Sequence, residues 1–190
     1  MMICHKQKII FTHIPKTAGT SILDTLGKVN KKQKVILSKP DHRTLIEIKN
    51  KDLESFWHYY KFTVVRNPWE REWSLYKFLK IKDSFETYLE NVKNDKYHYA
   101  KRRFRLPNLF SNQVDFILID NQIELDQIIR FENLNNGHKE LCRAIGKEII
   151  ELPHLRKSNS TSYSDHYNRQ CIDLVSELRE KDISFLNYSF

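Results

Sequence analysis

The segment FTHIPKTAGTSIL, Phe11 to Leu23, restricts the fold of this chain more than any other feature of the sequence. An apolar run precedes its turn, and apolar residues recur after the turn at the three- and four-residue spacing of a helix. The pattern predicts a buried strand over Lys8–Thr12 and a helix over Thr20–Lys28. A strand that enters a helix through so short a turn is typical of α/β proteins.

A second unit of the same kind lies further along the chain, in VVRNPWEREWSLY. Phe62–Val65 has the β-branched, apolar character of a buried strand, and Arg66 ends it. Asn67 suits an N-cap and Pro68 the first helical position, so a helix is expected to about Lys80. Repeated strand, turn and helix units favour a parallel sheet.

The remaining elements follow from shorter patterns. We expect strands at Val35–Leu37, Asp115–Ile119 and Gln127–Phe131, and a helix that Asp41 caps and that runs through Ile48. Further helices are expected at Ser84–Val92, Asn133–Ile145 and around Cys171–Leu178, and a basic surface loop at Asn94–Pro107. The sequence therefore predicts an α/β, P-loop-like three-layer fold with a central, mainly parallel β-sheet flanked by helices. We expect one domain over residues 1–190.

Composition restricts the compartment and the class of partner. The formal charge of +8 favours polyanionic partners without selecting one of them. Three widely spaced cysteines show neither a disulfide framework nor zinc-ligand spacing. The N-terminus lacks the apolar segment of a signal peptide, and no run is long enough to span a bilayer. These features predict a cytoplasmic protein without a transmembrane segment.

The turn between the first predicted strand and helix has the composition of an anion site. A helix N-terminus aims backbone N–H groups at one point and adds partial positive charge there. Lys16 supplies a full charge, and Thr17, Thr20 and Ser21 supply hydroxyl donors. The nucleotide-kinase pattern GxxxxGK[ST] is absent, because Lys16 precedes Gly19. A terminal phosphate or sulfate is the ligand that such a turn would hold.

The order of PKTAGTS and then VVRNPWEREWSLY resembles the sulfotransferases that use 3'-phosphoadenosine 5'-phosphosulfate. Within them the chain is most similar to the carbohydrate O-sulfotransferase branch, which includes the uronyl 2-O-sulfotransferases, and to its small bacterial relatives. Three further segments extend the resemblance over nearly the whole chain: KPDHRTL, IIRFENLNNGHKELC and the C-terminal LPHLRKSNSTSYSDHYN with LVSELREKDISFLNYSF. The resemblance implies transfer of a sulfuryl group to a sugar or glycan hydroxyl.

The resemblance also implies which residues hold the donor, whose product is 3',5'-adenosine bisphosphate. The turn would hold the 5' end, while Arg66 and Ser74 would grip the 3'-phosphate and a C-terminal loop would close over the nucleotide. The complete set of predicted donor-binding residues is Lys16, Thr17, Ala18, Gly19, Thr20, Ser21, Arg66, Ser74, Lys157 and Ser158. No metal and no nucleic-acid partner is expected, and the oligomeric state stays open.

In-line sulfuryl transfer needs a cation at the leaving oxygen and a base for the acceptor hydroxyl. Lys16 is the candidate for the cation. His42 is the leading candidate for the base, because the resembling branch has a histidine before the second motif and imidazole titrates near neutral pH. His13 is the rival, although its place beside the turn favours a structural hydrogen-bonding role.

Several of these residues also have ordinary structural interpretations. Arg66 could pair with Glu70 or Glu72, and His42 could be a solvated residue at a helix start. The aromatic residues of the second motif are expected to pack in the core, with an aromatic wall for a sugar or adenine as the minority interpretation; they are Trp69, Trp73 and Tyr76. Two other functions stay open: a nucleotide-dependent kinase and a non-catalytic polyanion-binding module.

Overall fold

The computed structural model of the protein describes residues 3–28, 42–97, 100–102, 108–152 and 162–190. The chain divides into two compact units, each built from two separate segments. The first unit comprises Met1–Val65 and Asp115–Lys157, and the second comprises Arg66–Val114 and Ser158–Phe190. That residues 1–190 form a single domain stays a prediction.

The first unit is built on a four-stranded sheet in the order β1-β2-β3-β6. Strand β1 antiparallel to β2 forms one edge, and β2, β3 and β6 run parallel. A separate antiparallel pair is formed by β4 and β5. The strands are β1 (Ile3–Cys4), β2 (Ile9–Thr12), β3 (Tyr60–Val65), β4 (Leu118–Ile119), β5 (Gln122–Ile123) and β6 (Gln127–Arg130).

Helices cover both faces of this sheet. They are α1 (Gly19–Lys28), α2 (Leu45–Lys51), α3 (Leu53–His58) and α6 (Leu134–Ala144). On one face, Phe11 of β2 packs with Ile22 of α1 and Leu141 of α6. On the other face, Ile10 packs with residues of α2 and α3, because successive residues of a strand point to opposite sides. The predicted mainly parallel α/β sheet between layers of helices is therefore confirmed.

The second unit is helical and has an aromatic core. Its helices are α4 (Pro68–Leu79), α5 (Phe85–Lys93), α7 (Arg169–Leu178) and α8 (Glu180–Leu186). Trp69, Tyr88 and Val175 are among the buried residues of that core. Asn67 is the N-cap of α4, since its Oδ1 accepts from the backbone N–H of Trp69 and Glu70, so the predicted start of this helix is confirmed.

Some predicted elements differ from the structure. Asp115–Ile119 is not one strand: a 3₁₀ turn, Val114–Phe116, precedes the two-residue β4. The backbone N–H of Val114 donates to Asp182 Oδ1 and not to a neighbouring strand. Within the predicted loop Asn94–Pro107, Tyr97 is buried in the aromatic core. The predicted strand Val35–Leu37 lies outside the described residues, and α3 and α8 were not predicted.

Candidate functional site

The turn between β2 and α1 has the backbone geometry of an anion-binding nest. Lys16 and Ala18 have positive φ angles of 71° and 67°. Thr17 and Gly19, beside them in the chain, do not. Alternation of the sign of φ curls consecutive peptide units so that their N–H groups point into one concavity, which suits an anion. A positive φ angle costs conformational energy in residues other than glycine, so the conformation of Lys16 and Ala18 is a specific feature of this turn.

Four consecutive backbone N–H groups of this turn, those of residues 17–20, are available for a ligand. In the described part of the chain, no group accepts from the backbone N–H of Thr17, Ala18, Gly19 or Thr20, whereas Ser21 donates to the Ala18 carbonyl. The hydroxyl of Thr17 is used inside the turn, where it donates to the Ile14 carbonyl at 2.9 Å. Thr17 would therefore reach an anion through its backbone N–H and not through its hydroxyl proton.

His13 supports the turn from beneath. Its side chain is buried, and its ring stacks on Phe11 with the ring centroids 5.5 Å apart. A Cβ atom added to Gly19 would clash with the His13 imidazole, so no larger residue fits at position 19 while His13 keeps this place. Burial, together with the nearby His42 ring, lowers the pKa of His13 to about 3. The imidazole is therefore neutral at physiological pH.

His42 lies beside His13 and is oriented by it. The ring centroids are 4.2 Å apart, and His42 Nδ1 lies 2.8 Å from the backbone carbonyl oxygen of His13. A carbonyl oxygen only accepts, so Nδ1 must carry the proton. In the neutral ring the lone pair is then on Nε2, which makes Nε2 the atom able to take a proton. His42 is half-buried, unlike His13.

His13 should make the stability of the protein depend on pH. The folded-state pKa is about 3, below the ordinary value of 6.5, so between these values the unfolded chain binds a proton that the folded chain excludes. The free energy of unfolding should fall as pH drops below about 6.5, by about 2 kcal/mol at pH 5. Urea unfolding at pH 7, 6 and 5 measures this loss. His13→Asn should flatten the dependence, whereas the exposed His58→Asn should keep it; equal slopes for all three proteins would contradict the expectation.

Arg66 follows the last residue of β3 and is clamped by Gln113. The backbone N–H of Arg66 donates to Gln113 Oε1 at 2.9 Å, and Gln113 Nε2 donates to the Arg66 carbonyl at 2.8 Å. Asp182 anchors the clamp, because its Oδ2 lies 3.3 Å from Gln113 Nε2 and its Oδ1 accepts from the Val114 N–H. A fully buried glutamine thus holds both sides of the Arg66 backbone.

The guanidinium of Arg66 pairs with Glu70 one helical turn along α4. The distance from Arg66 Nη2 to Glu70 Oε1 is 2.8 Å, and the Arg66 side chain is mostly buried. Ser74 is four residues beyond Glu70, so both lie on the same face of the helix. Of the two acidic partners considered for Arg66, Glu70 is the one that the structure shows. Lys157 and Ser158 lie outside the described residues.

Glu72 belongs instead to a buried ionic network that the sequence interpretation missed. Arg179 donates to Glu72 Oε1 through Nε at 2.9 Å, and its Nη2 lies 2.7 Å from the same oxygen. The Tyr88 hydroxyl donates to Glu72 Oε2 at 3.1 Å, and burial with this carboxylate raises the Tyr88 pKa well above its usual range. The sequence does hold one signal of this network: the charged residues Arg71 and Glu72 lie within one helical turn of the apolar residues Trp69 and Leu75.

The aromatic residues of the second motif pack in the core of the second unit, as the sequence predicts. Trp69 is buried, and its indole N–H donates to the Ile172 carbonyl at 3.2 Å. Trp73 stacks on His166 with centroids 4.2 Å apart.

Over the described ranges, no group of three His, Cys, Asp or Glu side chains could hold a metal ion. None of the helices described above is long and apolar enough to cross a bilayer.

Comparisons with known proteins place the chain in a family. No curated protein and no solved structure matches it. The model of the sulfotransferase family matches residues 1–189, which is nearly the whole chain. The match includes both of the strand, turn and helix units predicted from the sequence. The protein therefore belongs to the sulfotransferase family.

Proposed function

We propose that the protein transfers a sulfuryl group from 3'-phosphoadenosine 5'-phosphosulfate to a hydroxyl of a carbohydrate or glycan-bearing acceptor. Family membership supports sulfuryl transfer in general. The observation that carries the choice of donor is the turn from Lys16 to Gly19: its φ angles alternate in sign, and the backbone N–H groups of residues 17–20 make no hydrogen bond with any described residue, which suits a phosphosulfate. The sugar acceptor rests on the sequence resemblance to the carbohydrate branch.

At the 5' end of the donor, the turn supplies a cluster of hydrogen-bond donors and one cation. The N–H groups of Thr17, Ala18, Gly19 and Thr20 would bind phosphosulfate oxygens, together with the hydroxyls of Thr20 and Ser21. Lys16 would stabilise the negative charge that develops on the bridging oxygen. The donor itself supplies an activated sulfuryl group with a phosphate leaving group. None of these roles requires a metal ion.

At the 3' end, Arg66 and Ser74 would hold the phosphate. The Gln113 clamp sets the backbone of Arg66, so the guanidinium starts from a defined position. In the structure the Glu70 carboxylate pairs with that guanidinium. We expect the 3'-phosphate to displace this carboxylate, because a doubly charged anion is the stronger partner for arginine. The Ser74 hydroxyl, one turn beyond Glu70, would add a neutral donor.

The acceptor hydroxyl must lose a proton as it attacks sulfur. His42 would accept this proton at Nε2, since Nδ1 is already protonated and bonded to the His13 carbonyl. His13 would act as the support of both His42 and Gly19. We place this chemistry in the cytoplasm. All three cysteines are free and buried, which suits a reducing compartment.

Calorimetric titration with 3',5'-adenosine bisphosphate tests the donor directly. We expect micromolar binding without metal ions, and binding weaker by roughly 30- to 100-fold for Arg66→Ala, which removes charge-assisted hydrogen bonds. Glu70→Gln should bind at least as tightly as the original protein, because the competing carboxylate is gone. Transfer of labelled sulfate to 4-nitrophenyl glycosides and oligosaccharides would then identify the acceptor.

The matched control is Arg169→Ala. Arg169 also pairs with an acidic residue four positions on, Asp173, but on the exposed surface of α7. Its removal should leave the affinity for the bisphosphate within about twofold. Preference for Mg-ATP over the bisphosphate would instead favour the kinase hypothesis. Binding that tolerates loss of both Lys16 and Arg66 and falls steeply with salt would favour a polyanion-binding module.

A further inference from the structure

Two buried arginines hold a short segment of the second unit, residues 110–113, which is neither helix nor strand. Arg179 Nη1 donates to the Phe110 carbonyl at 2.6 Å, and Arg71 Nη1 donates to the Ser111 carbonyl at 3.1 Å. Hydrogen bonds from a charged donor are stronger than those between neutral groups. The arginines therefore fix the path of a segment that has no regular backbone ladder of its own.

Asp182 of α8 holds the end of this segment that carries Gln113. Its Oδ1 accepts from the Val114 N–H at 2.9 Å, and its Oδ2 accepts from Gln113 Nε2 at 3.3 Å. Asp182 and Gln113 are both fully buried, so water does not compete for these bonds. The carboxamide of Gln113 is therefore held in one orientation.

The other hydrogen bonds of this carboxamide go to the backbone of Arg66. Gln113 Oε1 accepts from the Arg66 N–H at 2.9 Å, and Nε2 donates to the Arg66 carbonyl at 2.8 Å. These two backbone groups lie on either side of the Arg66 Cα, so φ, ψ and the direction of its side chain are fixed together. Since β3 ends at Val65 and α4 begins at Pro68, Arg66 belongs to no regular element that would do this instead.

Asn67 adds a second anchor next to Arg66. Its Nδ2 donates to the Ser189 carbonyl at 2.9 Å, while its Oδ1 caps α4. The turn that carries Arg66 is thus held at two successive residues by side-chain hydrogen bonds.

From these contacts we propose that Gln113 is a positioning residue that makes the donor site selective for a nucleotide with a 3'-phosphate, acting through Arg66. The inference rests on the proposed function, in which Arg66 binds that phosphate. A guanidinium binds phosphate best through two parallel N–H groups, so its direction matters. Fixing the backbone of one residue in advance corresponds to roughly 5- to 30-fold in affinity. Asp182, Arg71 and Arg179 act one step further away, because they hold Gln113 and its segment.

Calorimetric titration with 3',5'-adenosine bisphosphate and with adenosine 5'-phosphate tests this inference, because the two nucleotides differ only in the 3'-phosphate. Gln113→Leu keeps a side chain of similar size but none of its hydrogen bonds. The preference for the bisphosphate should fall about tenfold, while the affinity for adenosine 5'-phosphate stays within about twofold. In the Arg66→Ala background, Gln113→Leu should weaken bisphosphate binding no further, because Gln113 acts through Arg66.

Two other variants complete the test. Asp182→Asn is milder, because it keeps one acceptor for the Val114 N–H but loses the charge beside Gln113, and the preference should fall about threefold. Tyr88→Phe is the matched control: Tyr88 is also fully buried in the second unit, and its hydroxyl bonds to Glu72 and not to the clamp. It should lower stability and leave the preference unchanged.

Protection of the Arg66 amide from hydrogen exchange reports on the clamp without any nucleotide, and it should fall in Gln113→Leu. Equal losses for both nucleotides would show a merely structural role and overturn the inference. An unchanged preference in Gln113→Leu would also overturn it, or in Asp182→Asn should Gln113→Leu fail to fold. Both of these outcomes leave the proposed function standing if the original protein prefers the bisphosphate. If the original protein shows no such preference, the proposed function fails and this inference fails with it.

Discussion

Replacing Arg179 by methionine should lower the free energy of unfolding by about 3–5 kcal/mol. The side chains of Arg179 and Glu72 are 3% and 0% exposed, so the substitution leaves one negative charge in excess in a buried cluster, where the Tyr88 hydroxyl and the buried Arg71 still interact with Glu72. The desolvation cost of the Glu72 carboxylate is then compensated only in part. Urea unfolding at pH 7, followed by circular dichroism, measures the loss.

Two further variants test the cause. Adding Glu72→Gln to Arg179→Met removes the excess charge and should restore a large part of the stability. Lys93→Met breaks an ion pair with Glu177 of the same 2.7 Å length, but with side chains 45% and 60% exposed, and should cost less than about 1 kcal/mol. A similar loss for Lys93→Met and Arg179→Met would show that burial does not determine the effect.

The sequence predicts the sheet and most helices because their signals are local. The apolar run before Lys16 predicts β2, and Asn67 with Pro68 predicts the start of α4. Helix α8 was missed because Arg179 and Asp182 disrupt an apolar pattern at its start. Their burial depends on partners from distant segments, such as Glu72 and Gln113, which no local pattern shows.

In the candidate site, too, the sequence predicts the residues that have local signals but not the contacts between distant segments. Lys16 and Gly19 are recognisable because strand, turn and helix are adjacent in sequence. The contact between His42 and the His13 carbonyl joins residues 29 positions apart, and the Gln113 clamp on Arg66 joins residues 47 apart. Such contacts form only when the fold is complete. The sequence could therefore nominate His42 and Arg66 but not the groups that orient them.

Replacing His42 by asparagine should lower kcat for sulfate transfer by about 10²- to 10⁴-fold while the affinity for 3',5'-adenosine bisphosphate stays unchanged. The asparagine amide can still donate to the His13 carbonyl in place of Nδ1, so the orientation of the segment is kept. No lone pair remains where Nε2 stood. Rates are measured with labelled donor and the fastest acceptor of the glycoside and oligosaccharide panel.

The pH profile distinguishes a base from a merely structural residue. A general base acts only in its unprotonated form, so the original protein should lose kcat toward low pH, and His42→Asn should lose that limb of the profile. His13→Asn is the comparison, since burial lowers the His13 pKa to about 3 and its ring lies beneath Gly19. It should reduce stability but keep the acid limb. If His42→Asn retains kcat within about tenfold and the same profile, another group must be the base.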